Sequence, residues 1–183
     1  MKHIQTLLLA ALVGTCIGAA AHGDGHAGKN AAPVKKEQKV WGIAGDAKKV
    51  RRTIAITMGD NMRFAPDRIE VRRGETVKLV VTNHGKLLHE LVLGTKKELE
   101  EHAALMEKFP GMEHDEPYMA HVGAGNTGEL VWTFNRAGEF DFACLIPGHY
   151  QAGMVGKVIV RPERAATRLP APLVTGTKGR SSR

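Results

Sequence analysis

Short runs in which apolar and polar residues alternate fill the middle of the chain. A period of two is typical of strands that bury one face. Turn-forming stretches such as Gly59-Asp60-Asn61 and Arg136-Ala137-Gly138 separate these runs. The predicted strands cover residues 53–58, 68–71, 76–82, 87–93, 128–134, 139–144 and 155–160, and Phe64 opens a further short segment. Short strands at regular spacing predict an all-β fold, a Greek-key antiparallel β-sandwich.

One segment between the strands changes its period. Residues 96–106 have high helix propensity and place Leu99, Ala103 and Met106 on one stripe. Pro110-Gly111 is expected to end this helix. The sequence therefore predicts a single short helix inserted among the strands.

The first residues of the chain have the pattern of an export signal. Residues 1–21 combine a short basic start, an apolar core from Leu7 to Ile17 and small residues before His22. The apolar core is too short to span a bilayer. The alternative, a lipoprotein signal at Cys16, has a poor lipobox in Val13-Gly14-Thr15. The chain is therefore predicted to be periplasmic, without stable membrane insertion.

The segments on either side of the strands are basic and weakly patterned. Residues 22–52 form a His-containing arm in which Val40-Trp41-Gly42-Ile43 is expected to dock on the domain. Residues 53–161 form the predicted domain, and residues 162–183 a disordered basic tail. The net charge of +7 falls to +6 once the signal, which holds Lys2 and no acid, is removed. Export argues against nucleic acid, so a solvated surface is expected, with an acidic partner or anionic lipid as the alternative.

Thiol, imidazole and thioether groups are concentrated in one stretch near the end of the domain. Four residues separate Cys144 from His149, and four more separate His149 from Met154. These ligands suit copper that cycles between two oxidation states, and such a centre also takes a second imidazole, which His89 can supply. The alternative is that Cys144 is a buried, inert thiol. Its spacing to His149 and Met154 in an exported chain favours metal ligation.

These residues carry a family resemblance over residues 53–161. The pattern C-x4-H-x4-M with a histidine far upstream resembles the cupredoxins, the type 1 copper proteins. Further matching motifs are residues 62–66 (Met-Arg-Phe-Ala-Pro), 74–77 (Gly-Glu-Thr-Val) and 128–130 (Gly-Glu-Leu). Within the family the chain looks most like the periplasmic cupredoxins associated with bacterial copper tolerance, which carry extra His and Met residues.

The resemblance implies a ligand set and a helical flap at the place of the predicted helix. It makes His89, Cys144 and His149 the equatorial ligands of one type 1 copper and Met154 the axial ligand. One departure is Glu90, because azurin-like members have an asparagine there that ties the ligand loops together. What gives these loops their rigidity is therefore an open point.

Other His and Met residues predict additional, weakly bound copper. His22 would become the amino terminus after signal cleavage and lies close to His26, although a plain solubilising tail is the alternative. A second candidate group lies on the helix and the loop after it, and consists of His102, Met106, Met112, His114, Met119 and His121. Its alternative is that Met106 packs beneath the helix and the loop histidines are merely exposed.

The expected function is that of a periplasmic type 1 copper-binding protein that acts in copper tolerance and can transfer one electron. The alternative is a dedicated electron-transfer shuttle to a periplasmic or membrane redox partner. The expected partners are copper ions and a transient redox or copper-transfer protein, and the chain is predicted to be monomeric. His149 would be the electron exit, through an apolar rim of Leu145, Ile146, Pro147 and Tyr150. No catalytic residues are predicted, because a coordinatively filled metal leaves no position for a substrate.

Overall fold

The computed structural model describes residues 36–112 and 114–163. The predicted signal at 1–21, the residues His22 and His26, and residues 164–183 of the predicted tail lie outside the described residues. The elements are β1 (Ile43–Ala44), a 3-10 turn (Ala47–Lys49), β2 (Arg52–Gly59), β3 (Arg63–Ala65), β4 (Arg68–Arg72), β5 (Glu75–Asn83), β6 (His89–Gly94), α1 (Lys96–Lys108), β7 (Met119–Val122), β8 (Thr127–Phe134), β9 (Gly138–Ala143) and β10 (Val155–Arg161).

Two five-stranded sheets form a sandwich, which confirms the predicted fold class. One sheet has the order β1-β8-β5-β2-β3 and the other the order β4-β10-β9-β6-β7. The alternating residues of both sheets meet in one hydrophobic core that includes Ile56, Leu79, Leu91 and Phe142. Burial of these side chains supplies the main driving force for the sandwich.

The two sheets are mixed, so the expectation of a purely antiparallel sandwich is wrong for two strand pairs. β5 runs parallel to β2, and β10 runs parallel to β4, while the other described pairs are antiparallel. A hairpin can join only antiparallel neighbours, whereas a chain that visits the other sheet before returning can join parallel ones. Between β2 and β5 the chain makes this excursion through β4. Alternation along a strand shows which face is buried and carries no information on the direction of its neighbour.

Strand β6 is buried along its whole length because it is covered on both faces. Leu91 and Leu93 pack into the main core, whereas Val92 packs with Leu99 of α1 in a second, smaller cluster. The predicted strand at 87–93 begins two residues later than expected, since Leu87 and Leu88 are half exposed. As a result, the first two residues of β6, His89 and Glu90, are polar groups held inside the protein.

Helix α1 lies over β6 and β9 and confirms the predicted helical segment. It begins with a capping box in which Thr95 Oγ1 accepts a hydrogen bond from the Glu98 backbone and the Glu98 carboxylate accepts one from the Thr95 backbone. The predicted stripe of Leu99, Ala103 and Met106 forms its buried face. Within the described residues, no helix combines the length and the apolar character that a bilayer crossing requires.

The described part of the N-terminal arm docks on the sandwich, as predicted for residues 40–43, except that Val40 is 62% exposed. Trp41 is 4% exposed, and its carbonyl oxygen accepts a hydrogen bond from Trp132 Nε1 at 3.2 Å. Strand β1 pairs with β8 directly after this contact. Gly42 has φ 137°, and a Cβ there would collide with the Thr133 carbonyl oxygen and the Trp132 indole, so this approach requires glycine. The domain boundary at residue 53 stays a prediction.

Candidate metal centre

The side chains of His89, Cys144 and His149 converge at one end of the sandwich. His89 is the first residue of β6, Cys144 follows the last residue of β9, and His149 lies in the loop between β9 and β10. One ligand atom from each residue lies within 4.8 Å of the other two. In the range 36–163, leaving out residue 113, no other trio of His, Cys, Asp or Glu ligand atoms is as close.

One nitrogen of His89 is oriented by a carboxylate and the other is left without a partner. Nε2 lies 3.1 Å from Asp60 Oδ1, and because a carboxylate only accepts, Nε2 carries the proton. Nδ1 is buried and has no hydrogen-bond partner among the described residues. A buried polar atom without a hydrogen bond costs about 1–3 kcal/mol. Because Nδ1 carries no proton, its lone pair is available, and the atom fits a metal ligand.

Asp60 is a residue of the candidate site that the sequence analysis missed. Its carboxylate accepts hydrogen bonds from the backbone N–H groups of Lys86 and Leu87, which lower the pKa of Asp60 together with the contact to His89. It therefore remains ionised as it holds His89. Asp60 lies 29 positions before His89, and the only local signal was an acid in the turn after a strand.

The Cys144 sulfur is fully buried beside His149. The distance from Cys144 Sγ to His149 Nδ1 is 3.3 Å, and the backbone N–H of Glu90 donates to the sulfur at 3.4 Å. Burial raises the pKa of the Cys144 thiol to about 12, while it lowers the pKa of the His149 imidazole. A neutral imidazole is the form that binds metals.

Backbone hydrogen bonds close the loop between β9 and β10 and bring Met154 next to the other candidates. The N–H of Cys144 donates to the Met154 carbonyl at 3.1 Å, and the N–H of Met154 donates to the His149 carbonyl at 3.1 Å. Met154 is fully buried in the main core. Gly148 and Gly153 have φ of 84° and 88°, the left-handed conformation that the tight loop requires.

The apolar rim predicted around His149 is smaller than expected. Leu145 is buried under α1 in the second cluster and does not belong to it. Ile146 and Tyr150 are partly exposed, and Pro147 is exposed. The backbone N–H of Leu145 donates to the Glu90 carboxylate, a long-range contact that the local sequence does not encode.

Glu90, which stands where azurin-like proteins have an asparagine, links the loops that carry the candidate ligands. Its side chain is almost fully buried, and Oε1 accepts a hydrogen bond from the Leu145 backbone N–H at 2.9 Å. Oε2 lies 2.9 Å from Nε2 of His121 on β7. Burial raises the pKa of Glu90, against the opposing effect of the Leu145 hydrogen bond and of His121. This carboxylate therefore joins β6, the loop after Cys144 and strand β7.

The second candidate group is only partly assembled. Two ring contacts connect its three histidines, with ring centroids of His102 and His114 4.6 Å apart and those of His114 and His121 6.5 Å apart. Within the described part of the chain, which leaves out the neighbouring residue 113, both ring nitrogens of His114 are buried without a hydrogen-bond partner. Burial, and then the proximity of His114, lowers the pKa of His102. We name His102, His114 and His121 the histidine cluster.

Two of the three methionines of the second candidate group are core residues, and the third is exposed. Met106 and Met119 pack in the second hydrophobic cluster, as in the alternative that treats Met106 as a core residue. Met112 is 41% exposed in the loop after α1. The unpartnered nitrogens of His114 remain the strongest sign of a ligand at this second place.

The known proteins that this chain resembles include copper-binding proteins. The model of a family described as copper binding proteins, plastocyanin/azurin family, matches residues 50–161. A protein of Rubrivivax gelatinosus named copper-resistant cuproprotein CopI is 50% identical over 158 residues, which cover 85% of this chain and 94% of that protein. A protein of the same name from Vibrio cholerae is 32% identical and covers 84% of this chain and 97% of its own length.

Solved structures with the same fold include two auracyanins. Auracyanin from Roseiflexus castenholzii superposes with a TM-score of 0.54 at 21% identity, over 62% of this chain and 99% of its own. Auracyanin A of Chloroflexus aurantiacus, described as a "blue" copper protein, has a TM-score of 0.50 at 28% identity, over 60% of this chain and 98% of its own.

Proposed function

Because the chain belongs to the plastocyanin/azurin family of copper-binding proteins, we propose that it holds one type 1 copper ion and acts in copper tolerance. The residues proposed to hold the ion are His89, Cys144 and His149, which form the close trio, together with Met154 on the same loop. The proposed site of action is the periplasm, and the proposal gives the chain no catalytic role.

The observation that carries this proposal is the unpartnered Nδ1 of His89. It is buried, lies on the ring whose other nitrogen is fixed by Asp60, and belongs to the close trio with Cys144 and His149. A thiol, two imidazoles and the thioether of Met154, whose backbone is bonded to Cys144 and His149, form a soft, mixed donor set that suits copper in both oxidation states. The residues present therefore fit the metal that the family binds.

Copper bound here would supply a one-electron redox couple, and the protein's own residues prepare the place for it. Asp60 fixes the ring of His89, and the Glu90 backbone N–H stabilises negative charge on the Cys144 sulfur. The buried surroundings of Cys144 and Met154 exclude water from the sulfur ligands. A site held rigidly from several strands needs little reorganisation between oxidation states.

Copper tolerance is favoured over the alternative of a dedicated electron shuttle by the histidine cluster. We propose that this cluster binds a second copper ion weakly, because both nitrogens of His114 are buried and unpartnered. The looser spacing of the cluster is consistent with weak binding. The relatives named copper-resistant support the same role. The predicted capture of copper by His22 and His26 remains a prediction.

A copper(II) titration of the purified chain tests both parts of this proposal. We expect an intense sulfur-to-copper charge-transfer band that saturates at one equivalent, followed by weaker binding of further copper. The weaker equivalent should be lost in a His102→Ala/His114→Ala double variant, whereas the band should persist. Reversible one-electron voltammetry tests redox activity, and copper sensitivity of a strain that lacks the protein tests tolerance. A chain without the band would disprove the type 1 centre.

Substitution of Asp60 by asparagine should weaken copper binding without unfolding the protein. The amide oxygen of asparagine can still accept from the Lys86 and Leu87 backbones, but it removes the negative charge beside His89 Nε2. Loss of such a carboxylate behind a histidine ligand typically costs about 10–100-fold in metal affinity. Competition with a copper chelator measures the change, with Asp67→Asn as an exposed control. An unchanged affinity in Asp60→Asn would remove Asp60 from the site.

Copper binding should release close to one proton from the thiol at neutral pH. The pKa of Cys144 is raised to about 12, so the metal-free protein carries the protonated thiol throughout the physiological range, whereas the ligand form is a thiolate. Affinity should therefore rise with pH below that pKa. Calorimetry in buffers of different ionisation enthalpy counts the protons. Copper binding with no proton release would indicate a thiolate already present in the metal-free protein.

A further inference from the structure

The Glu90 side chain contacts the loop of the first candidate metal place and a histidine of the second. One carboxylate oxygen accepts the backbone N–H of Leu145, directly after Cys144, and the other faces Nε2 of His121 in the histidine cluster. Its own backbone N–H donates to the Cys144 sulfur. The side chain is 2% exposed, so these contacts replace water around a buried acid.

We propose that Glu90 is a positioning residue that couples the histidine cluster to the loop between β9 and β10. A divalent cation bound at His102, His114 and His121 changes the bond between sulfur and copper at Cys144, and the Glu90 carboxylate transmits the change. This inference rests on the proposed function, because it requires both metal places.

The need for an acid at position 90 comes from the cluster and not from the loop. To hold the Leu145 N–H, a single carbonyl oxygen is sufficient, and an amide side chain offers one. The second oxygen of Glu90 is used by His121. A carboxylate, in contrast with an amide, can pair with a protonated imidazole or join the ligands of a bound cation.

A cation that binds Nε2 of His121 alters the surroundings of Glu90. If the cation binds Nε2 of His121, Oε2 of Glu90 loses its partner or becomes a ligand itself. In either case the carboxylate shifts or changes its charge distribution, and its other oxygen is bonded to the residue after Cys144. Packed interiors transmit such shifts because the neighbouring atoms have no free space. By linkage, copper at Cys144 and the cation at the cluster must then influence each other reciprocally.

The test uses the full chain loaded with one equivalent of copper, and Zn²⁺ as a redox-silent probe that binds imidazole. In the wild type we expect the charge-transfer band to change saturably with Zn²⁺. We also expect the affinity for Zn²⁺ to differ by about fivefold or more between the cuprous and cupric forms. In the diamagnetic cuprous form, the amide resonance of Leu145 should shift during the same titration.

Three variants separate coupling through Glu90 from simpler explanations. The His102→Ala/His114→Ala variant should lose the response together with the bound Zn²⁺. Glu90→Gln should keep the band and bind Zn²⁺, while the ratio of the two affinities falls to about one. Glu129→Gln, at an exposed acid on β8 that pairs with Lys78, should behave as the wild type. Preservation of the amide spectrum shows that each variant is folded.

Several results would overturn the inference. An unchanged response in Glu90→Gln would assign the effect to direct electrostatics between the metals, and a wild type that binds no Zn²⁺ at the cluster would remove the second place. Bound Zn²⁺ with no change in the band or in the Leu145 resonance would show that the two places are independent. Absence of the band before any Zn²⁺ is added would instead disprove the proposed copper centre itself, and the coupling with it.

Discussion

Replacing Cys144 with serine is expected to abolish the sulfur-to-copper charge-transfer band completely. The hydroxyl is nearly the same size as the thiol, so the fully buried position should remain packed and can still accept the Glu90 backbone N–H. A serine oxygen, however, has neither the softness of a thiolate nor its low-energy electrons, so it cannot form the covalent sulfur bond of a type 1 centre. Visible absorption and EPR of copper-loaded wild type and variant measure the loss.

The same substitution at Cys16 is the matched control for Cys144→Ser. Cys144 is the free cysteine among the described residues, and Cys16 lies in the predicted signal, outside those residues. Cys16→Ser should leave the band intact. A band that survives in Cys144→Ser would disprove the ligand assignment, and residual copper bound by the variant without a band would report the histidine cluster or the N-terminal histidines.

The local pattern predicted the strands well because the burial of one strand face produces an alternation of apolar and polar residues along the sequence. The strand predicted at residues 76–82 is found at Glu75–Asn83, and the one at 128–134 is found at Thr127–Phe134. The helix ends within two residues of its prediction, since Leu99, Ala103 and Met106 set its buried face. The short spacing between Cys144, His149 and Met154 likewise needed only local information.

The remaining features depend on contacts between residues far apart in the chain. The direction of β5 beside β2 follows from a crossover, and no periodicity records it. Asp60 reaches His89 across 29 residues, and the Glu90 carboxylate reaches the Leu145 backbone across 55. For the same reason, sequence could flag Glu90 as unusual but could not name its partners.

The site depends on the double coverage of β6. Residues at the end of an exposed strand would be solvated, whereas β6 lies between the main core and α1, so His89 and Glu90 are held without water. Buried polar groups are tolerated only when they are bonded. The hydrogen bonds of Glu90 and the Asp60 contact of His89 satisfy most of this demand, and His89 Nδ1 is the group left for a metal.

Phe142→Ala is expected to destabilise the protein by about 3–5 kcal/mol, the typical cost of removing a buried aromatic ring. Phe142 is fully buried on β9, two residues before Cys144, and packs edge-on against Phe64 with ring centroids 5.0 Å apart. The ring also fills the space opposite Gly156, where a Cβ would collide with it. Urea denaturation of the metal-free protein measures the loss without the stabilisation that bound copper adds.

Because the proposed ligands lie outside β9, we expect Phe142→Ala to lower the folding stability without changing the charge-transfer band. His149 and Met154 lie in the loop between β9 and β10, and His89 lies on β6. A Phe142→Ala variant that is still folded at low temperature should therefore keep the charge-transfer band. Phe109→Ala, at a side chain that is 58% exposed, is the matched control and should change stability by no more than about 0.5 kcal/mol. If the folded variant lost its band, the core beneath β9 would be setting the ligand geometry directly, because the loop hydrogen bonds alone would then be insufficient to hold it.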